Sequence, residues 1–245
     1  RKKENRFIKS KVDPIKEGIE EKIPDRLRST LEVAFSKSFQ LVFEKGEAYI
    51  EKTYKKDKKQ LEHDLIDYDI VKEFSKKHIK KLDKKANSSK ALNTSISLLE
   101  GGVLGFFGIG LPDIPLFIAM IMRTIYEIAL SYGYDYNNDK ERSYILLIIC
   151  GAMSKGEELK VYNSRIDKLV NRIDENLEIN IDLKGQIEET ARLLADGILV
   201  GKFVQGIPLV GAIGGAINYG IIRKISKYAV IKYKKRYLLA KEREY

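Results

Sequence analysis

Residue types that carry metal or redox chemistry are scarce in this chain. Its 245 residues include one cysteine, two histidines and no tryptophan. The single cysteine, Cys150, excludes an internal disulfide, and its apolar surroundings favour a buried thiol over a reactive one. No part of the sequence has the density of His, Cys, Asp and Glu that a metal site requires, so we predict no metal and no cofactor. We expect both histidines, His63 and His78, to be exposed on charged helices.

The motifs of common enzyme classes are also missing. The glycine-rich stretch 101–110 does not end in Lys-Ser or Lys-Thr, and no predicted strand leads into it, which excludes a phosphate loop. The Gly-x-Ser-x-Gly motif of serine hydrolases does not occur. We therefore predict a protein without catalytic activity.

Helical periodicity is present along most of the chain, whereas alternation long enough for a β-sheet is not. Apolar residues three and four positions apart predict helices over about 25–54, 60–82, 113–132, 139–154, 157–177 and 183–242, the last with a break at 206–208. Asp113 is the predicted N-cap of the third helix and Gly133 its C-cap. Asn138 or Asp139 is predicted to begin the fourth.

These patterns predict an all-α fold: a multi-helix bundle with glycine-rich, closely packed central helical hairpins and charged N-terminal helices. Residues 1–90 are predicted to form a basic helical region, either separate or part of the same bundle. Residues 91–245 are predicted to form the main helical domain.

Two apolar stretches are long enough to cross a bilayer, Gly101–Met122 and Phe203–Ile222. They lie either in lipid or in the core of the protein, and the sequence leaves both alternatives open. Close helix packing is predicted at three pairs of glycines four residues apart: Gly101 and Gly105, Gly197 and Gly201, Gly211 and Gly215.

The net charge of +10 is concentrated at the two ends of the chain. Residues 1–95 carry 25 Lys/Arg against 17 Asp/Glu, residues 223–245 carry 9 against 2, and the section between carries 11 against 16. Basic ends predict an acidic partner, and an anionic membrane fits better than nucleic acid because no nucleic-acid-binding motif is present. The candidate membrane-surface residues are Arg223, Lys224, Lys227, Lys232, Lys234, Lys235 and Arg236.

Isolated polar residues in apolar surroundings are the candidate site. They are Asp113, Arg123, Glu127, Lys202 and Asn218. Arg123 and Glu127 are one turn apart and can pair. The set forms either a structural network that fixes helix register or a carboxylate site for a cation or for proton transfer.

Three sequence blocks resemble the EcsC family of bacterial proteins: GGVLGFFGIGLPDIPLFIAMIMRTIYEIALSYGYD, DKERSYILLIICGAMSKG and VQGIPLVGAIGGAINYGIIRKISKYAVIKYKKR. The resemblance extends from about Leu98 to Arg236, and the first 90 residues match only in being helical and charged. The resemblance implies a bacterial protein that acts near the membrane. It identifies no catalytic residues. The shared polar positions correspond to Asp113, Tyr132, Asp135 and Asn218.

Three functional hypotheses follow. The first is a non-catalytic accessory or adaptor protein at the inner, cytoplasmic face of the membrane, docked on anionic lipid or on a membrane protein such as a transporter. The second is an integral hairpin with spans near 101–122 and 203–222. The third is an enzyme or a lipid- or small-ligand-binding protein that uses Asp113, Glu127 and Lys202. The oligomeric state stays open.

Overall fold

The computed structural model describes residues 23–87, 113–204 and 215–244, and no strand occurs in these ranges. The helices are α1 (Asp25–Leu41), α2 (Glu47–Glu51), α3 (Lys56–Lys72), α4 (Lys76–Asn87), α5 (Asp113–Ser131), α6 (Asp139–Met153), α7 (Gly156–Asp174), α8 (Leu183–Val204) and α9 (Gly215–Glu244). The predicted all-α fold is confirmed.

The predicted helix over 25–54 is interrupted by a π-helical segment, Val42–Gly46, between α1 and α2. A π-segment widens the turn and changes which backbone groups pair with each other. Here the Phe43 carbonyl accepts a hydrogen bond from Arg142 Nη2 at 3.2 Å, which ties the segment to α6. The apolar periodicity that predicts the helix does not reveal this segment.

The helix predicted over 60–82 is in fact two helices, α3 and α4. The chain leaves helical geometry at Glu73, whose backbone is extended (φ −148°, ψ 105°). Ser75 then begins α4, because its hydroxyl accepts a hydrogen bond from the His78 backbone N–H at 3.3 Å. The serine before Lys76 is the local signal that the prediction overlooked.

The end of α5 and the start of α6 agree with the predictions. Helix α5 begins at Asp113, so that Pro115 lies in its first turn. The side chain of Asp113, and with it the predicted N-cap, lies outside the described residues. At its other end Gly133 has a positive φ of 81°, and the backbone N–H of Tyr134 bonds to the Ala129 carbonyl at 3.0 Å. The Asn138 side chain caps α6 by accepting from the Glu141 N–H at 2.9 Å.

Helices α5 and α6 form the centre of the bundle. Helix α5 packs against α1, α3, α4 and α9, whereas α6 packs against α7, α8 and α9. One hydrophobic core extends from Phe35 of α1 to Tyr237 of α9, so the helices before residue 90 and those after it contribute to the same core. Helices α6 and α8 approach closely at Gly197, where an added Cβ would lie 2.2 Å from Met153 Cε.

In the described ranges, one helical stretch is long and apolar enough to cross a membrane, Ile114–Ser131 of α5. Of this stretch, 89% is buried inside the protein. Core helices of water-soluble proteins have the same length and composition, and here α5 is packed against neighbouring helices of the described part of the chain.

Candidate functional site

A buried ion pair lies at the centre of the candidate site. Arg123 Nε donates to Glu127 Oε1 at 3.0 Å, as their one-turn spacing predicts, and both side chains are at most 6% exposed. Lys59 of α3 approaches the other oxygen of Glu127 at 2.8 Å. Two cations therefore neutralise this carboxylate, which suits a structural role better than proton transfer.

Sequence reasoning missed a layer of tyrosines and glutamates beside this pair. Tyr126 and Tyr136 stack with ring centroids 3.9 Å apart. The Tyr136 hydroxyl donates to Glu51 at 2.7 Å, and Arg142 lies 3.1 Å from Glu47. The sequence does contain a signal for the two glutamates of this layer. Glu47 and Glu51 are one helical turn apart and follow the apolar half of the predicted first helix.

The pKa values of the two glutamates of this layer are shifted in opposite directions. Burial raises the pKa of Glu47, and Arg142 offsets only part of that effect. Burial also acts on Glu51, but hydrogen bonds from Lys56 and Tyr136 outweigh it and lower the pKa of Glu51. Glu47 connects α2 to α6 through Arg142. Glu51 connects α2 to Lys56 of α3 and to Tyr136 in the turn between α5 and α6.

The Tyr132–Asp135 turn contacts α3 and α4. The Tyr132 hydroxyl donates to Asp83 at 3.0 Å, whereas Asp135 is 61% exposed and lies 3.7 Å from Lys56. A Cβ on Gly133 would lie 2.3 Å from His63 Nε2, so this position needs glycine for space as well as for its positive φ. His63 and His78 are only partly exposed, which corrects the prediction that both lie on the surface.

The remaining predicted site residues are not gathered around Glu127. Lys202 is buried on α8, a helix that packs against α1 and α6. The side chains of Asp113 and Asn218 lie outside the described residues, although both backbones are helical. Of the predicted packing glycines, Gly197 and Gly201 belong to α8 and Gly215 begins α9, whereas Gly101, Gly105 and Gly211 lie outside the described residues.

The basic residues of α9 do not form the predicted surface. Lys232 is 1% exposed and Arg236 is 6% exposed, so these two predictions of surface exposure are wrong. Arg236 donates to Glu141 at 2.7 Å. The Tyr233 hydroxyl donates to the same carboxylate at 2.6 Å. Apolar positions on both sides of α9 let the helix lie deep in the bundle, where acids from other helices pair with its cations.

Other cations of α9 also pair with distant acids. Lys234 lies 2.6 Å from Asp83 of α4, and Lys235 lies 2.8 Å from Asp167 of α7. Lys224 is partly buried, whereas Arg223 and Lys227 are exposed. Most of the positive charge near the end of the chain therefore stabilises helix packing.

A different basic surface lies on α4. Its 12 residues, KKHIKKLDKKAN, bury Ile79, Leu82 and Ala86. The opposite side carries four exposed lysines, Lys76, Lys77, Lys80 and Lys84. Two more lysines form a seam with α3: Lys81 lies 3.2 Å from Asp69, and Lys85 lies 3.0 Å from Glu62. We call Lys76, Lys77, Lys80 and Lys84 the lysine face.

An apolar stripe lies on α3 and on the segment that connects α3 to α4. It consists of exposed residues spaced four or three positions apart, at 53–67% exposure: Leu61, Leu65, Tyr68, Val71 and Phe74. The first four belong to α3, where such spacing places side chains along one side of the helix, and Phe74 follows two residues after its end. The core contacts of α3, Ile66 and Ile70, lie on the other side. Next to Phe74, an open groove of about 510 Å³ is also lined by Leu238 of α9.

Neither a reactive thiol nor a group of potential metal ligands is found among the described residues. Burial raises the pKa of the Cys150 thiol to about 12, so it is protonated at neutral pH and a poor nucleophile. No group of three or more His, Cys, Asp or Glu side chains that could hold a metal ion occurs within 23–87, 113–204 and 215–244.

Comparison with known proteins identifies a matching family and relatives in Bacillus subtilis. The model of the EcsC protein family matches residues 1–238, so the N-terminal helices lie within the match rather than outside it. The chain is 25% identical over 187 residues to "Uncharacterized protein YdbA" of Bacillus subtilis (strain 168), which covers 72% of this chain but only 65% of that protein. It is 26% identical over 212 residues to "Protein EcsC" of the same organism, covering 86% of this chain and 79% of that protein. No solved structure matches the chain.

Proposed function

The chain belongs to the EcsC protein family, and from that premise we propose that it is a non-catalytic accessory protein that docks on anionic membranes. The docking surface is the lysine face of α4 together with the apolar stripe of α3. The protein then lies at the inner, cytoplasmic face of the membrane. The observation that carries this proposal is that four exposed lysines and five exposed apolar side chains occupy one helical hairpin.

The lysine face supplies the attraction to anionic lipid. Helix α4 carries six lysines and one acid, Asp83, which is paired with Lys234. Each lysine near a negatively charged leaflet contributes about 1 kcal/mol, so the four exposed ones contribute about 4 kcal/mol. That energy alone corresponds to a dissociation constant in the millimolar range, which is too weak for stable attachment.

The apolar stripe supplies the second contribution. Monomeric soluble proteins seldom expose a contiguous row of large apolar side chains, and such rows mark interaction surfaces. Burying a large apolar side chain contributes about 1.5–3 kcal/mol, so partial insertion of two or three of them brings the affinity into the micromolar range. Surface attachment that combines a basic and an apolar component is stable without a membrane-spanning helix.

Two further observations support surface docking over the alternatives. The helix with the composition of a span, α5, is almost completely buried among other helices, which favours a core role over an integral hairpin. The candidate catalytic carboxylate, Glu127, is held between Arg123 and Lys59. A membrane protein with an acidic surface carries the same negative charge as anionic lipid. Vesicles that contain lipid alone distinguish docking on lipid from docking on such a protein.

The test is sedimentation of the protein with vesicles of pure phosphatidylcholine and with vesicles that also contain phosphatidylglycerol. We expect binding to the anionic vesicles only, weakening as salt is added because surface charges are screened. Replacing the lysine face by glutamine (Lys76→Gln, Lys77→Gln, Lys80→Gln and Lys84→Gln) should weaken binding about a thousandfold, from the loss of about 4 kcal/mol.

A matched control variant carries the same loss of charge on other helices: Lys160→Gln, Lys168→Gln, Lys184→Gln and Lys227→Gln, all exposed positions. It should bind anionic vesicles with nearly the affinity of the original protein. Equal losses in the two variants would show that net charge, and not this surface, drives association. No binding to either kind of vesicle would refute docking on lipid and would favour a protein partner.

A further inference from the structure

A cavity with a polar lining lies between α6, α7 and α9, apart from the docking surface. Its volume is about 210 Å³. The polar residues around it are Tyr144 of α6, Asp167 and Asn171 of α7, and Lys232, Lys235 and Arg236 of α9. Three apolar side chains complete the lining.

Two buried donors of this lining are unsatisfied. Among the described residues, neither the Tyr144 hydroxyl nor the Nε of Arg236 has a hydrogen-bond partner. Tyr144 is completely buried and Arg236 is 6% exposed. A buried polar group without a partner costs free energy, and each such group in a native protein calls for an explanation. A bound acceptor in the neighbouring cavity would satisfy both.

The arrangement around Arg236 leaves this donor available. Its guanidinium lies 4.1 Å from the centroid of the Tyr134 ring and 4.9 Å from that of Tyr144. Glu141 accepts from Nη1, so the carboxylate uses a different part of the guanidinium from Nε. The rings and Glu141 fix the orientation of the guanidinium before any ligand binds, which lowers the entropic cost of binding.

The charge of the lining favours an anion. Three cationic side chains line the cavity against one carboxylate, Asp167, which lies 2.8 Å from Lys235. Glu141, outside the lining, pairs with Arg236, so the surroundings keep one more cation than carboxylates. The Lys232 ammonium is 1% exposed and lies 5.4 Å from the centroid of the Tyr228 ring. Ammonium and guanidinium donors in a partly dehydrated site bind phosphate oxygens well.

The size of the cavity restricts the ligand. Sites for drug-sized organic molecules have volumes of about 300–1,000 Å³, so this cavity is too small for most of them. A water molecule takes up about 30 Å³ of liquid, so the cavity has space for several waters or for one tetrahedral oxyanion. We propose that this cavity binds a phosphate group, with the Tyr144 hydroxyl, Arg236 Nε and Lys235 as donors.

The first arm of the test is calorimetric titration with inorganic phosphate at constant ionic strength. We expect saturable binding at one site. Tyr144→Phe should weaken it about tenfold, the effect of losing one hydrogen bond to a charged acceptor. Because this hydroxyl has no partner in the described residues, Tyr144→Phe should not lower the thermal stability of the unliganded protein. Lys235→Gln should weaken binding further, because it also leaves Asp167 without its cation.

The second arm distinguishes a soluble phosphate from a lipid headgroup. Vesicles with phosphatidic acid present a phosphate monoester, whereas vesicles with phosphatidylglycerol of equal surface charge present a diester. A preference for phosphatidic acid that disappears in Tyr144→Phe would identify a headgroup, and saturable binding of inorganic phosphate alone would identify a soluble ligand. Lys227→Gln, exposed on the same helix, is the control and should change neither result.

The proposal is overturned if neither probe binds in a way that depends on Tyr144. In that case water alone fills the cavity. Failure of the docking proposal leaves this test intact, because the calorimetric arm uses no membrane.

Discussion

Helices α4 and α9 are both rich in lysine and arginine, yet they use that charge in opposite ways. The cations of α9 reach acids of other helices: Lys234 pairs with Asp83, Lys235 with Asp167 and Arg236 with Glu141. On α4, Lys76, Lys77, Lys80 and Lys84 point away from the core and lie on the surface. The position of acids on neighbouring helices, and not the amount of positive charge, decides which helix can meet an anionic partner.

The comparison predicts that breaking the ion pairs of α9 affects folding, whereas removing the exposed lysines of α4 affects binding. The largest effect is expected for Glu141→Ala. This change leaves Arg236 buried without its carboxylate and removes the acceptor of the Tyr233 hydroxyl. We expect a loss of about 3–5 kcal/mol in the free energy of unfolding, measured in urea. Binding of the folded protein to anionic vesicles should stay unchanged. A loss below about 1 kcal/mol would mean that the α9 cations are not needed for packing.

The second prediction concerns the apolar stripe of the α3–α4 surface. Replacing Leu65 and Phe74 by serine should weaken vesicle binding by about 1–1.5 kcal/mol each, since their insertion into lipid is lost. The free energy of unfolding should hardly change, because both side chains are about 60% exposed. The control variant carries Val161→Ser and Leu177→Ser, which are exposed apolar residues elsewhere on the chain. If the control weakens binding equally, the contact is not specific to this surface.

A third, smaller effect is expected for Lys241→Gln near the end of α9. Burial would lower the pKa of Lys241, but hydrogen bonds to Glu244 and Asp67 outweigh burial and raise it. The pair with Asp67 is 3.1 Å long and the lysine side chain is 11% exposed, so we expect a loss of about 1 kcal/mol at neutral pH.

The pH dependence of this loss has a definite sign. A raised pKa means that the protonated lysine stabilises the folded state fully below its ordinary pKa of 10.5. The contribution is lost as the pH rises through the raised value. The difference in unfolding free energy between the original protein and Lys241→Gln should therefore be constant near neutral pH and shrink above pH 10.5. A difference that grows there would contradict the assignment.

The smallest effect on folding is expected for single changes in the lysine face. Lys84→Gln should alter the free energy of unfolding by less than about 0.5 kcal/mol, as is usual for exposed positions. Thermal and urea unfolding both measure this. A clearly larger loss would show that α4, like α9, uses its lysines for packing.

Local features of the fold could be predicted from the sequence because they depend on neighbouring residues. Gly133 ends α5 and Asn138 caps α6, each through contacts within a few positions. The pairing of Arg123 with Glu127 is local in the same way. Such interactions need no knowledge of the tertiary structure.

The burial and ion pairing of the α9 cations could not be predicted, because their partners are far away in sequence. Lys234 and Asp83 are 151 positions apart, and Arg236 and Glu141 are 95 positions apart. No local pattern connects such pairs, so the same residues look like a solvated basic helix. The Tyr144 hydroxyl, which has no hydrogen-bond partner within the described ranges, likewise depends on three helices meeting.

The lysine face of α4 is an intermediate case. Pairs of lysines recur every four residues, while Ile79, Leu82 and Ala86 occupy the opposite side. This amphipathic pattern can be recognised in the sequence. Summing the charge over residues 1–95 concealed it, because the acids of α3 offset much of the positive charge. Charge counted by helix face, rather than by segment, would have indicated this surface.

The most direct test of membrane docking is to place an environment-sensitive fluorescent probe on the proposed surface. Cys150 is 1% exposed, so a probe will react with an introduced cysteine instead. Two labelled proteins are compared, one with Tyr68→Cys on the apolar stripe and one with Val161→Cys on α7, both at positions more than half exposed. On addition of anionic vesicles, the account predicts a blue shift and higher intensity for the probe at position 68 and no change at position 161. A shift at position 161 alone, or at neither position, would contradict docking through the α3–α4 surface.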